Sequence, residues 1–166
     1  DASEIKEFVE EAFFKLVGKD LPDDIAIRIL DKEEMEKAHP AGVMGFAINR
    51  RHLGQVSEIF VKKGMLDKVM LTIGHELGHV LTKRLSNDKD EEAKAFAFSI
   101  AWMKIIKEEN IGNLSMAIQL DKPANNGLHD VALDFVLKMI KKEKDAFNVY
   151  KELIHGMLNV RVNSIC

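Results

Sequence analysis

The sequence predicts an α+β fold, a small β-sheet in the first third of the chain followed by an α-helical C-terminal half. Three observations carry that expectation. Three segments before Gly64 alternate apolar and polar residues, or run β-branched, as strands do. After Gly64 the apolar spacing changes to a helical period. No internal repeat, low-complexity tract or linker divides the 166 residues, so one domain over 1–166 is expected, with the helices of about 111–160 a candidate covering or regulatory subdomain.

The elements follow in order. "SEIKEFVEEAFFKLVG" places Ile5, Phe8, Val9, Ala12, Phe13, Leu16 and Val17 on one helical face, with Ser3 as the expected N-cap and Gly18 as the stop. "DLPDD" turns the chain into "IAIRIL", a strand. "DKEEMEKAHP" reads as a short helix ended by Pro40, and "GVMGFAINR" and "GQVSEIFVKKG" read as two further strands. "MLDKVMLTIGHELGHVLTKRL" then forms a helical stripe through Leu66, Val69, Met70, Ile73, Leu77, Val80 and Leu81. "SNDKD" breaks it. "EEAKAFAFSIAWMKIIKEEN" is a second helix, apolar round most of its circumference and hence central. A short helix and a Pro/Asn/Gly loop come next, and two amphipathic helices follow near 128–142 and 145–158.

The bulk properties exclude several classes. A composition of 46% apolar and 31% charged residues supports a core without a disordered tail. A net charge of -3 with interspersed signs offers no field for phosphate backbones, so nucleic acid is not expected as a partner. The only cysteine is Cys166, and no apolar run is long enough to span a bilayer, so neither disulfide nor membrane is expected and the expected location is cytoplasmic. The first residue is Asp1 rather than methionine, which leaves that location resting on cysteine usage and hydropathy.

The chemistry concentrates in "HELGH". On a helix, residues four apart share a face, so His75 and His79 can bring both imidazoles to one point. Two neutral imidazoles suit zinc, and Glu76 beside them is placed to take a proton from water. Thr72, Ile73, Leu77, Gly78, Val80 and Leu81 carry no charge, which sets the pair in an apolar helix rather than on a solvated face. His39, His52, His129 and His155 are expected to be structural or surface residues.

A catalytic zinc takes three protein ligands and keeps a fourth position open. The nearest further donors are Asp90, Glu91 and Glu92, which antiparallel packing of the two helices would fold back toward the histidines. The large apolar side chains of the second helix spread over an arc whose middle lies nearest Glu92, so Glu92 is expected to point most nearly inward. First-turn acids also suit the helix dipole, which leaves Glu91 and Asp90 open as alternatives.

With the motif and this acidic helix in view, the sequence resembles the gluzincin metallopeptidases, in which H-E-x-x-H is completed by a glutamate on a later helix. "EAKAFAFS", Glu92 to Ser99, is similar to the E-x-x-A-x-x-F-A/S pattern around the third ligand of minigluzincins, ImmA/IrrE-type peptidases and membrane-bound prenyl-protein peptidases. The resemblance spans roughly Ile25 to Trp102. It implies a zincin-like fold, a small twisted sheet packed on the motif helix, whose edge strand within "GVMGFAINR" would pair with an extended peptide substrate. It also implies one Zn2+ per chain on His75, His79 and Glu92. Those families often hold a histidine with an acid or amide four residues after the ligand glutamate; here that position is Phe96.

The expected activity is therefore peptide-bond hydrolysis with Glu76 as general base and acid. His129, His155 and Tyr150 are the candidate oxyanion donors of the C-terminal helices, and none stands out. A deformylase-like reading lacks its upstream cysteine. A non-catalytic or latent zinc-binding regulatory protein would not need Glu76, and an interaction module would hold no stoichiometric zinc.

Overall fold

The computed structural model describes residues 1–40, 42–120, 131–142 and 144–160, which form three strands, six α-helices and two 3-10 turns. Helix α1 spans Ala2–Val17 and ends at Gly18 in the left-handed region, as its spacing predicts. Its cap is Asp1 rather than Ser3. The Asp1 carboxylate accepts from the Glu4 amide at 3.0 Å while Glu4 reaches back to the Asp1 amino group, a reciprocal pair that a Ser3 cap would forgo.

Strand β1 (Ile25–Leu30), helix α2 (Lys32–Ala38), strand β2 (Gly45–Ile48) and strand β3 (Ser57–Lys62) follow. The sheet order is β1-β3-β2. β3 runs parallel to β1, from Ile25 opposite Ser57 to Leu30 opposite Lys62, and antiparallel to β2, from Gly45 opposite Val61 to Ile48 opposite Glu58. Alternation along β3 buries Ile59 and Val61 completely. The opposite face carries Glu58, held by Arg28 and Arg50 at 2.8 Å each, and a Phe46–Phe60 stack. β2 is shorter than its apolar stretch. Asn49 leaves the ladder, because its side-chain oxygen accepts from the Arg51 amide at 3.0 Å and starts the 3-10 turn Arg51–Leu53.

Helix α3 spans Leu66–Val80, five residues short of the expected end at Leu85. Its last carbonyls are claimed from outside: Asn49 Nδ2 donates to the His79 and Thr82 oxygens at 2.9 Å each, and Arg51 Nε donates to Val80 O at 3.0 Å. With these acceptors already satisfied by side chains, continuing the helix gains no further hydrogen bonds there. Helix α4, Asp88–Glu108, starts three residues earlier than its apolar run, because the Asn87 side chain caps it by accepting from the Lys89 and Asp90 amides.

α3 and α4 pack antiparallel. A Cβ at Gly78 would lie 2.7 Å from Ala95 Cα, and one at Gly74 would lie 2.8 Å from Trp102 Cγ, so both glycines are spacers that let the second helix sit directly on the first. Trp102 Nε1 donates to Met70 O at 2.9 Å and fixes the crossing at its far end. After the 3-10 turn Ile111–Asn113, helices α5 (Val131–Lys141) and α6 (Ala146–Ile154) pack on α4. The first residues expected in α5, 128–130, lie outside the described ones. α6 stops four residues before Leu158, at a turn through Gly156 with positive φ. One continuous apolar core joins Val9, Ile59, Val61, Ile73, Leu77, Phe98, Trp102, Val136 and Val149. Among the described residues no helix is long and apolar enough to cross a membrane.

Candidate metal centre

The antiparallel crossing brings the first turns of α4 against the last turns of α3, which places the acid run beside the paired histidines. His75, His79 and Glu92 each point one ligand atom into a space where all three lie within 4.8 Å of one another. Glu92 spans the two rings: one oxygen is 3.5 Å from His75 Nε2 and the other 3.4 Å from His79 Nε2. The imidazoles stand edge to face with centroids 4.9 Å apart. Side-chain exposures of 22%, 18% and 40% for His75, His79 and Glu92 leave this point open to solvent. Two imidazoles and one carboxylate at this separation are a donor set that fits zinc.

The three consecutive acids have three different jobs. Steps of about 100° along α4 turn them to different neighbours. Asp90 accepts from the Val160 amide at 2.8 Å and ties down the segment after α6. Glu91 is buried, at 2% side-chain exposure, and its Oε2 receives His79 Nδ1 at 2.7 Å while its Oε1 receives the Leu85 amide at 2.9 Å. Glu92 alone faces both Nε2 atoms. The expectation that Glu92 points most nearly inward is thus corrected: Glu91 is the inward acid. The apolar arc of α4 is centred on the packed core, whereas the histidines lie at the rim of the α3–α4 contact, one helical step outside it.

Phe96, which stands where a histidine-holding acid or amide would follow the third ligand, instead packs its ring against His75, centroids 4.7 Å apart. Holding a histidine falls to Glu91, immediately before the candidate ligand. A carboxylate only accepts, so His79 carries a proton on Nδ1, and its Nε2 is turned toward Glu92.

The charges follow the geometry. Burial works against the charged form of His79, but hydrogen bonds from Glu91 and Glu92 outweigh it and push the metal-free imidazole up to about 9. For Glu92 the desolvation is likewise overridden, here by bonds from His75 and His79, and its carboxyl is held well below the usual range. Glu91 is lowered against the pull of burial by His79, Lys94 and the Leu85 amide. Glu76 is 8% exposed, and burial pushes its carboxyl above the ordinary glutamate range, with His75 and His79 opposing. A carboxyl raised in this way holds a proton more readily than an ordinary glutamate.

The remaining expectations fall outside the cluster. His39 is half-buried against Phe46, and His52 is exposed in the 3-10 turn. His155 caps α6 at the surface. Tyr150 is buried against Phe98 and Phe147 and hydrogen-bonded to Thr82, and burial raises its hydroxyl pKa. His129 and Cys166 lie outside the described residues.

Lys94 was legible as a conflict rather than a motif. A lysine between Ala93 and Ala95 on a helix otherwise apolar there signals a buried charge needing a partner. Glu91 gave no such signal, since a first-turn glutamate is ordinary. Comparison of the chain with protein-family models, with curated proteins and with solved structures finds no match.

Proposed function

We propose that this chain is a zinc-dependent peptide hydrolase of zincin-like fold, with His75, His79 and Glu92 as metal ligands and Glu76 as general base and acid. The observation that carries the proposal is the convergence of those three ligand atoms within 4.8 Å at a solvent-open point, beside the buried Glu76. Zinc held there would supply Lewis acidity, polarising a scissile carbonyl and acidifying water. The chain's own groups do the rest. Glu76 takes the proton released as water attacks and passes it to the departing amine. β2 is an edge strand of the sheet and lies against α3, so an extended peptide adding to that edge would run beside the motif helix. With one cysteine in the chain, nothing in this chemistry calls for an oxidising compartment, and we place it in the cytoplasm.

Two variants test the assignment. Glu76→Gln is expected to keep one zinc per chain by elemental analysis and to lose cleavage of a mixed peptide library by roughly a thousandfold or more, the cost of removing both proton transfers. Glu92→Ala is expected to lose the zinc itself. Zinc lost instead with Asp90→Ala would overturn the ligand assignment. A wild type that holds stoichiometric zinc and cleaves nothing would make this a zinc-binding regulatory protein.

A further inference from the structure

Lys94 is fully buried, yet the proposed hydrolysis gives it nothing to do. Its ammonium lies 2.6 Å from Glu91 Oε1 and 3.1 Å from Thr82 Oγ1, and its longer contacts reach His79 O at 3.4 Å and Lys83 O at 3.5 Å. These partners divide into two groups. One is the carboxylate whose other oxygen holds the His79 ring at Nδ1. The other is the main chain and Thr82 hydroxyl where α3 ends, including the carbonyl of His79 itself.

Resting on the metal site proposed above, we propose that Lys94 is a positioning residue for His79, acting through Glu91 on the ring and directly on the backbone of the same residue. An imidazole has two free torsions between its backbone and its ring. A hold at both ends removes that freedom, so Nε2 is aimed at the metal position before any ion arrives. Lys94 and the Leu85 amide occupy Glu91 Oε1, which leaves Oε2 as the acceptor facing His79 Nδ1. That fixes the tautomer with the proton on Nδ1 and the lone pair on Nε2.

Economy of stability does not explain the lysine. A methionine of similar shape would pack at position 94 without a desolvation cost, and replacing a buried ion pair with apolar residues is often neutral or stabilising. An isolated buried charge is costly, so the lysine and glutamate come as a unit. Asn49 Nδ2 also donates to His79 O and Thr82 O, and therefore secures the end of α3 even without the ammonium. What the pair adds beyond Asn49 is the hold on the ring.

The double variant Glu91→Gln/Lys94→Met separates the two roles, because it removes both charges together and leaves neither unpaired. It is expected to unfold cooperatively at a melting temperature near that of the wild type, to bind zinc about 10- to 100-fold more weakly, the usual consequence of losing an outer partner of a ligand, and to give an altered Co2+ absorption spectrum. A folded double variant with wild-type zinc affinity and an unchanged cobalt spectrum would overturn the proposal. Should that variant fail to fold, 15N-histidine NMR of the zinc-loaded wild type decides instead. His79 is expected to show a slowly exchanging proton on Nδ1, and metal on Nδ1, or an Nδ1 proton in rapid exchange, overturns the proposal. Wild-type protein that takes up neither zinc nor cobalt would overturn the metal site and this proposal together; unchanged binding in the double variant removes only this one.

Discussion

His79 is the residue on which most of the site's physics meets. In the metal-free protein its imidazolium is stabilised between Glu91 and Glu92, with its pKa moved from 6.5 to about 9. A raised folded-state value contributes stability that is fully present below about pH 6.5 and is lost as pH climbs through about 9. That contribution is on the order of 3 kcal/mol for a shift of this size. The melting temperature of metal-stripped protein is therefore expected to fall between pH 6.5 and 9.5. Zinc-loaded protein should show little of this slope, since the ion replaces the proton. By the same linkage, zinc affinity measured by competition with a chelator should rise toward tenfold per pH unit up to about pH 9. A flat melting profile of the stripped protein across that range would remove Glu91 and Glu92 as partners of the imidazolium. The carboxylates set the opposite limb: both are lowered, so their contribution is lost as pH falls below the ordinary glutamate range.

At the scale of elements, the decisive feature is the closeness of α3 and α4. Gly78 sits one residue before His79, and a Cβ there meets Ala95 Cα at 2.7 Å and Ala95 O at 2.9 Å. Both obstacles are backbone and cannot rotate aside. Gly78→Ala is expected to cost roughly 1–3 kcal/mol, read by thermal unfolding, and to weaken zinc binding as well, because the helices that supply the ligands must separate. A variant neutral on both counts would show that holding the histidines beside Glu92 does not depend on a glycine at this crossing. Periodicity made both helices legible, together with the antiparallel return that brings the acids back to the histidines. Their ends were hidden. α3 stops where side chains from positions 49, 51 and 94 take its carbonyls, and no window of sequence around Val80 contains the first two of these. Glu92 does meet both histidines, but the reason given for ranking it first, that it points most nearly inward, failed. An apolar arc reports where the core is, whereas the paired histidines sit where the core ends.

For the whole molecule, the sheet-then-helices order and the meeting of His75, His79 and Glu92 could be read from pattern and spacing, while the depth at which α5 and α6 are built in could not. The sequence leaves them a candidate covering or regulatory subdomain within one domain. In the structure Ala132, Val136, Val149 and Leu153 continue the core of α4, and Tyr150 packs on Phe98 and bonds Thr82 at the end of α3. Amphipathic helices look alike in sequence whether they pack on a core or shield a cleft. Deleting residues 131–160 is accordingly expected to give a chain that lacks cooperative unfolding, seen by calorimetry, rather than an uncovered and more active enzyme. A deletion product with a sharp transition would show that the part before α5 folds without α5 and α6.

The site also has a sequence address, since Glu92 follows His75 by only seventeen positions and Glu91 and Lys94 fall beside it. The sheet, by contrast, needs β1 and β3 to find each other across an intervening helix and strand. Short loops close sooner and lose less chain entropy than long ones. A divalent ion can therefore gather the α3–α4 hairpin while the strands are still apart, and refolding in stopped-flow should run faster with zinc present than without it. For this chain, metal would then be part of how the protein is made as well as part of what it does.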